Sequence, residues 1–186
     1  MKRTLAFALF LVAAGALPLP AATVALSFSS NPVEPGQTFT MNVTVIDLAG
    51  DAITGFGMDP YISDLSIAAF LGATVGPLFN DDAGFFSGDP AIAGDAPVFP
   101  ATLFPDTPPI LLATLSFQAL QPGTVRLGIT TDLNASNASE GLFLLSGDIQ
   151  DISMSQSMDF VPEPSLMGLV GFGLLGLGLA RRYTGR

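Results

Sequence analysis

Aspartates are concentrated in one stretch of the chain, and they are the residues best suited to chemistry. Asp81 and Asp82 are adjacent, and Asp89 and Asp95 follow shortly after them. Calcium takes about six to eight oxygen ligands, mostly carboxylates and carbonyls from flexible loops. The pattern therefore predicts a calcium site at Asp81, Asp82 and Asp89. The alternative is that these side chains only solvate an exposed loop.

A second acidic segment, "DLNASNASEG" at residues 132–141, begins as an EF-hand calcium loop does. Such a loop needs a glycine at its sixth place and a glutamate at its twelfth. This chain has Asn137 and Phe143 at those places. A turn stabilised by hydrogen bonds from Asn and Asp side chains is the better interpretation.

Catalysis has few candidate residues in this chain. Histidine and cysteine are both absent from the sequence, which removes the usual zinc ligands, the Cys nucleophile and the Ser-His-Asp relay. Paired carboxylates remain, as in glycosidases, but Asp81 and Asp82 are neighbours in sequence rather than opposed across a cleft. We therefore expect a non-enzyme. The alternative is a secreted carboxylate-dependent glycan hydrolase.

The charge of the chain is divided sharply between its middle and its ends. Residues 22–160 contain fifteen of the sixteen acidic residues but only one of the six basic residues, Arg126. So acidic a segment repels phosphate backbones, which excludes nucleic acid as a partner and favours cations or neutral partners such as glycans. Without cysteine there are no disulfides, so the domain must be held together by its core.

The N-terminus has the layout of a secretory signal peptide. Lys2 and Arg3 precede an apolar stretch from Leu5 to Ala14, and small residues follow as far as Ala22. This order predicts a signal helix within residues 1–22 that is removed on export.

The C-terminus contains a second apolar segment. Leu166 to Ala180 carries no charge, and Arg181 and Arg182 follow it directly. As a helix this segment would be roughly 23 Å long, so it would barely span a bilayer core of about 30 Å. The arginines stand where a positive-inside stop and orientation signal belongs. Both ends thus predict that the acidic middle lies outside the cytoplasm.

The whole tail, "VPEPSLMGLVGFGLLGLGLARRYTGR", resembles the PEP-CTERM sorting signal of Gram-negative bacteria. Its three parts stand in order: Pro162, Glu163 and Pro164 as the sorting motif, then the glycine-rich apolar helix, then the arginine cluster. The resemblance implies recognition by an exosortase-type processing enzyme, membrane attachment through the C-terminal helix before processing, and export associated with exopolysaccharide and biofilm. The same tail is also called an ice-binding-protein C-terminal domain, a name that is no evidence for ice binding.

Between the two ends, short stretches alternate apolar and polar residues with the period of β-strands. In "TFTMNVTVID" the apolar face is Phe39, Met41, Val43 and Val45, and in "ILLATLSFQA" it is Leu111, Ala113, Leu115, Phe117 and Ala119. We predict about seven to nine strands in an antiparallel sandwich. Gly76 to Pro109 is rich in proline and aspartate and is predicted to be a long loop with a short strand at Val98–Phe104.

Two segments, "GFGMDPYISDLSIAAFLGATVG" and "LLATLSFQALQPGTVRLGITT", resemble cohesin-like domains. The resemblance implies an all-β, antiparallel β-sandwich of cohesin-like or jelly-roll type. The apolar segments at the two ends of the chain add a flanking N-terminal signal helix and a short C-terminal transmembrane helix. The predicted domains are a signal peptide (1–22), an acidic ectodomain (23–160) and a sorting tail (161–186). We predict an exported, non-catalytic surface or matrix protein that acts in adhesion or binds exopolysaccharide, with calcium as its one candidate cofactor.

Overall fold

The structure, a computed structural model, describes residues 21–84, 90–97, 109–133 and 140–162. This part of the chain is all β and contains no helix. Its strands, in chain order, are β1 Thr23–Phe28, β2 Thr38–Asp47, β3 Ile53–Ile62, β4 Ala68–Val75, β5 Asn80–Asp81, β6 Ile92–Asp95, β7 Ile110–Ala119, β8 Gly123–Thr130, β9 Gly141–Leu144, β10 Ile149–Gln150 and β11 Met154–Phe160.

The strands form two antiparallel sheets. One has the order β1-β2-β7-β4, and the other contains β10-β9-β3-β6-β5 together with β8 and β11. β8 and β9 pair with successive parts of β3, and residues 131–140 separate these two strands. β11 pairs with β8 along its whole length. The antiparallel sandwich expected from the alternation of apolar residues is confirmed.

The core lies between the two sheets and is built by the inward positions of the long strands. Phe39, Met41, Val43 and Val45 of β2 are all buried, as predicted, and so are Val125, Leu127 and Ile129 of β8. An aromatic cluster closes one end of the core, where the ring of Phe39 stacks on Phe117 at 5.7 Å and meets Phe160 edge-on at 5.5 Å.

One predicted inward face is wrong at its first residue. Leu111 is only partly buried, whereas Ile110 and Leu112 point into the core. The register between β2 and β7 shifts between Val43 and Thr44, which pair with Ala113 and Leu111. This bulge places one extra residue on β7, and an extra residue reverses which side chains face inward beyond it.

Strands also occur where the sequence did not indicate them. β4 was not predicted, since its alternation is interrupted by a register shift between Phe70 and Gly72. β5 and β6 lie within the segment that was predicted to be a long loop. The ring of Phe79, just before β5, meets Phe56 edge-on at 5.0 Å and so ties this segment to the core. The predicted strand at Val98–Phe104 lies outside the described residues.

β3 is the strand on which the second sheet is organised. Its first part pairs with β9 on one side and with β6 on the other. Gly55, for example, is opposite Phe143 of β9 and Asp95 of β6. β6 begins at Ile92, opposite Met58, and from Asp59 onwards the described pairing of β3 is with β8 alone. Pro60, which has no N–H to donate, therefore stands where β3 needs hydrogen bonds on one side only.

The predicted signal helix and the C-terminal apolar helix both lie outside the described residues. Within the residues that are described, no helix is long and apolar enough to cross a membrane. The sandwich begins at Ala22, whose backbone N–H and C=O both hydrogen-bond the side-chain amide of Gln150, at 2.8 and 2.7 Å.

Candidate ligand pocket

A pocket opens on the outer face of the second sheet, where three strands lie side by side. Asp95 of β6, Gly55 of β3 and Phe143 of β9 are directly opposite one another across these strands. Residues directly opposite in a sheet point to the same face. Asp95 and Phe143 therefore stand on either side of a position that has no side chain, roughly 10 Å apart, which is two strand spacings.

The missing side chain of Gly55 is what makes the depression. A Cβ built there would lie 2.9 Å from the carbonyl oxygen of Gly94 and 3.6 Å from the Phe143 ring. The cavity has a volume of about 210 Å³. Thr54, Asp82 and Ala93 also line it. A volume of this size is open to a small ring or a few waters and too small for a folded partner to enter.

The floor of the pocket is held rigid from the core side. There is no room for a side chain at Gly94, because a Cβ there would lie 2.8 Å from the ring of Phe56. Phe56 is fully buried and packs edge-on against Phe79. Apart from Asp82, the lining residues thus lie on packed strands rather than on a loop, an arrangement that fixes the positions of their side chains.

The second carboxylate at the pocket comes from the residue after β5. β5 pairs with β6, placing Asn80 opposite Asp95, and the backbone N–H of Asp82 donates to the carbonyl of Ala93 at 3.0 Å. Desolvation by burial raises the pKa of Asp82 above its ordinary value of 3.8, and the nearby charge of Asp95 and a hydrogen bond with that carboxyl group raise the pKa further. Asp82 therefore retains its proton more readily than an isolated, exposed aspartate does.

The geometry of this pair decides between two kinds of chemistry. Glycosidases hold their two carboxyl groups about 5–10 Å apart so that substrate or water fits between them. Asp82 and Asp95 instead lie on the same side of the pocket, beside β5 and β6, and the ring of Phe143 rather than a carboxylate stands on the opposite side. A carboxyl pair beside an aromatic ring is better suited to holding a hydroxylated ring: the carboxylates accept hydrogen bonds from hydroxyls, and Phe143 packs against C–H groups.

Of the residues predicted to bind calcium, only Asp82 is described as lining this pocket. Asp81 lies in β5 with its carboxylate accepting the backbone N–H of Ala83 at 3.2 Å, and Asp82 faces Asp95. Asp89 lies outside the described residues. In the described part of the chain, no group of three or more acidic side chains is placed to hold a metal ion. The calcium site stays a prediction.

The carboxylate of Glu140 in the other acidic segment hydrogen-bonds to the backbone near the start of that segment. Glu140 is 3% exposed, and its Oε2 accepts a hydrogen bond from the backbone N–H of Asp132. The carboxylate therefore joins the two ends of residues 131–140, the connection between β8 and β9. Residues 134–139, and with them Asn137, lie outside the described residues.

Sequence reasoning identified the acidic side of the pocket and missed its other side. Gly55 and Phe143 are far apart in sequence, and only the pairing of β3 with β9 brings them together. The available signal was the "GFG" of β3, where glycines occupy two successive outward positions of a strand. Glycine inside a strand often marks a place where another group approaches the backbone.

The profile of the PEP-CTERM protein-sorting motif matches residues 160–182. This range contains Pro162, Glu163 and Pro164 and reaches Arg182. The chain thus carries a PEP-CTERM sorting motif directly behind its β-sandwich. The motif indicates an exported or cell-surface protein. Pro162 is described and exposed, whereas Glu163, Pro164, Arg181 and Arg182 lie outside the described residues, and their individual roles stay predictions.

Solved structures that resemble this chain include cohesin modules. The cohesin module from a Clostridium perfringens family 33 glycoside hydrolase aligns with a TM-score of 0.54 at 10% identity, covering 77% of this chain and 98% of that module. A type II cohesin module from the cellulosomal adaptor scaffoldin ScaA of Acetivibrio cellulolyticus aligns with a TM-score of 0.47 at 12% identity, covering 76% and 98%. The fold assignment rests on the first of these. No curated protein matches the chain in sequence.

Proposed function

We propose that this protein is an exported, non-catalytic binding module of the cell surface or extracellular matrix, which an exosortase-type enzyme processes at its PEP-CTERM tail. The observation that carries the proposal is the sorting motif at residues 160–182, joined directly to a cohesin-like sandwich. On this account the tail holds the protein in the cytoplasmic membrane of a Gram-negative bacterium until it is processed, and the sandwich then acts outside the cell in adhesion or exopolysaccharide association.

The pocket on the second sheet supports a neutral glycan as the ligand. Ligand sites are concave and mostly apolar, with a few well-placed polar groups. The Phe143 ring, the Gly55 floor and the Asp82–Asp95 pair fit this description, and about 210 Å³ suits one sugar ring. The strongly acidic surface repels anionic polysaccharides, so neutral residues of a matrix glycan are favoured.

The alternative function, a carboxylate-dependent glycan hydrolase, has less support. Both carboxylates of the pocket lie on its β5–β6 side, and among the described residues of its lining no carboxylate faces them from the β9 side. A hydrolase would release new reducing ends from the same polysaccharides that a binding module only retains. Reducing-end assays with neutral and acidic glycans distinguish the two functions, and the binding module predicts no release above the buffer blank.

The test of glycan binding is affinity electrophoresis of the protein through gels containing neutral or anionic polysaccharides. We expect retardation by a neutral polysaccharide and none by an anionic one. Phe143→Ala should weaken the retardation up to about tenfold, because an aromatic contact contributes about 0.5–1.5 kcal/mol beyond the area it buries and about 1.4 kcal/mol corresponds to a factor of ten.

A matched control is Leu145→Ala, two residues further on, whose side chain is exposed and lies outside the pocket lining. This variant should behave as the wild type. Equal retardation of the Phe143 and Leu145 variants would remove the pocket from the proposal. Absence of retardation of the wild type by any neutral glycan would contradict glycan binding while leaving the sorting of the protein intact.

Calcium at Asp81, Asp82 and Asp89 is a separate part of the proposal. A ligand that binds only the folded protein raises its melting temperature with concentration. We therefore expect a rise in Tm at millimolar calcium that magnesium does not reproduce. No rise would remove calcium from this account without affecting the glycan pocket.

A further inference from the structure

The last strand of the sandwich ends at the residue where the sorting motif begins. Phe160 is the final residue of β11 and is 3% exposed, and the motif match starts at this same residue. The next residue, Val161, still donates its backbone N–H to the carbonyl of Val33 at 3.0 Å. Folded domain and sorting motif therefore overlap, and no linker separates them.

The end of β11 is held firmly in place. On one side Phe160 pairs with Gly123 of β8, and on the other Val33 donates its N–H to the carbonyl of Asp159 at 3.3 Å. The Phe160 ring packs edge-on against Phe39 in the aromatic cluster. Loosening this strand to expose more chain before Pro162 would disrupt the core, so the sandwich stays folded up to the motif.

This junction limits how far a processing enzyme can be from the sandwich. An extended chain spans at most about 3.6 Å per residue, so the Cα of Glu163 lies within roughly 7 Å of that of Val161. An enzyme that binds the motif at Pro162 to Pro164 must therefore approach the end of the sandwich to within direct contact.

The surface that such an enzyme would meet is a groove of about 430 Å³ beside the junction. It is lined by Asn31 and Pro32 from the β1–β2 connection, Thr124 from β8, and Asp159 and Val161 from the junction itself. Thr124 donates its hydroxyl hydrogen to Asp159 at 2.7 Å, and Val161 is 45% exposed. The groove is thus continuous with the first residues of the motif.

We propose that the processing enzyme docks on this groove while it binds the motif, so that it recognises a composite of the linear tail and the folded end of the sandwich. This inference rests on the proposed exosortase-type processing. It adds a specificity determinant that the tail sequence alone does not contain.

The test is a pulse–chase of the full-length chain in its native host, following loss of the tail by mass. A Gly-Ser-Gly-Ser spacer between Val161 and Pro162 moves the motif up to about 14 Å from the groove without changing the motif or the fold. We expect processing to slow about five- to tenfold, the effect of losing a substantial interface contact. The same spacer after Gly147, in an exposed turn, is the control and should have no effect.

A second variant changes the groove and leaves the spacing unchanged. Thr124→Arg places a long side chain in the groove at an exposed position, and it should slow processing by a similar factor. Thr130→Arg, at the far end of the same strand and also exposed, is its matched control. An unchanged Tm for both variants confirms that their sandwiches are folded.

The possible outcomes are distinct. Slower processing of both the junction spacer and the Thr124 variant supports docking on the groove. Unchanged processing of both overturns it and leaves a linear signal, and faster processing with the spacer means that the folded end obstructs the enzyme. If only the spacer slows processing, distance from the membrane is the cause and the docking proposal fails. An unprocessed wild type would contradict the proposed sorting itself.

Discussion

The outer faces of the two sheets are built from similar strands, yet they offer very different surfaces. On the four-stranded sheet, Asn42 of β2 is opposite Thr114 of β7, and Thr40 is opposite Ser116. These short polar side chains form an even layer, and Thr114 donates to Asn42 within it at 2.8 Å. On the other sheet, Gly55 takes the corresponding outward place between Asp95 and Phe143. A single position without a side chain thus turns a solvated face into a pocket.

The largest expected effect comes from filling that position. Gly55→Val adds a branched side chain whose Cβ would lie 2.9 Å from the Gly94 carbonyl oxygen, which is backbone and cannot move aside cheaply. We expect the free energy of unfolding to fall by about 1–3 kcal/mol and glycan retardation to be lost. Urea denaturation and affinity electrophoresis measure the two effects.

The matched change on the other face is Thr40→Val, at an outward position of β2. It replaces one branched side chain by another of the same shape at a partly exposed site, so stability should stay within about 0.5 kcal/mol of the wild type. If both variants lost equal stability, the contrast between the two faces would be wrong.

A smaller effect is expected from the acidic side of the pocket. The pKa of Asp82 is raised in the folded protein by burial and by the charge of Asp95. Ionisation of Asp82 therefore opposes folding. The stability that the protonated carboxyl group contributes is fully present below the pKa of the unfolded state, 3.8, and is lost as the pH rises through the pKa of the folded state. Asp82→Asn cannot ionise, so in calcium-free buffer at pH 7 it should raise Tm by about 1–3 °C.

At pH 3 the gain from Asp82→Asn should vanish, since the wild-type carboxyl group is then protonated as well. Asp148→Asn, in an exposed turn, removes the same charge away from the pocket and controls for net charge. Thermal melts of the three proteins at both pH values decide the matter. A gain at pH 3 equal to the gain at pH 7 would show that the charge of Asp82 is not its cause.

The smallest effect should come from the hydroxyl layer. Thr114→Val removes the hydrogen bond to Asn42 at a partly exposed position where water can replace the hydroxyl. The expected loss of stability is about 0.5 kcal/mol, with no change in glycan retardation. A loss above about 2 kcal/mol would mean that this layer is part of the structural core of the sheet.

The sequence predicted those parts of the fold that depend on local alternation. The inward faces of β2 and β8 follow directly from their period-two patterns, because the extra residue in the β2–β7 pairing lies on β7 and the β8 pairings carry no register shift. The predicted inward face of β7 was wrong at Leu111, because a bulge is a property of the pairing between two strands and is not visible in one strand alone. β4 was not predicted, because a similar register shift before Gly72 interrupts its alternation.

The candidate site was predictable only on the side that is local in sequence. Asp82 and Asp95 come from one acidic segment, so a pattern search finds them together. Phe143 is placed at the same pocket by the register of β9 on β3. The register between strands that are distant in sequence is set by tertiary packing, and the alternation within one strand does not encode it. The sorting tail is the opposite case, because its three parts are consecutive in the chain and can be identified without any structure.

The central claim is that a folded sandwich is exported and then processed at a motif joined directly to its last strand. The most direct test is the intact mass of the protein recovered from outside its native host. This account predicts a product that begins near Ala22 and ends near Pro162 to Pro164, with any added glycan as extra mass. A product that still contains Leu166 to Arg186 would contradict it and would leave a plain membrane anchor in place of a sorting signal.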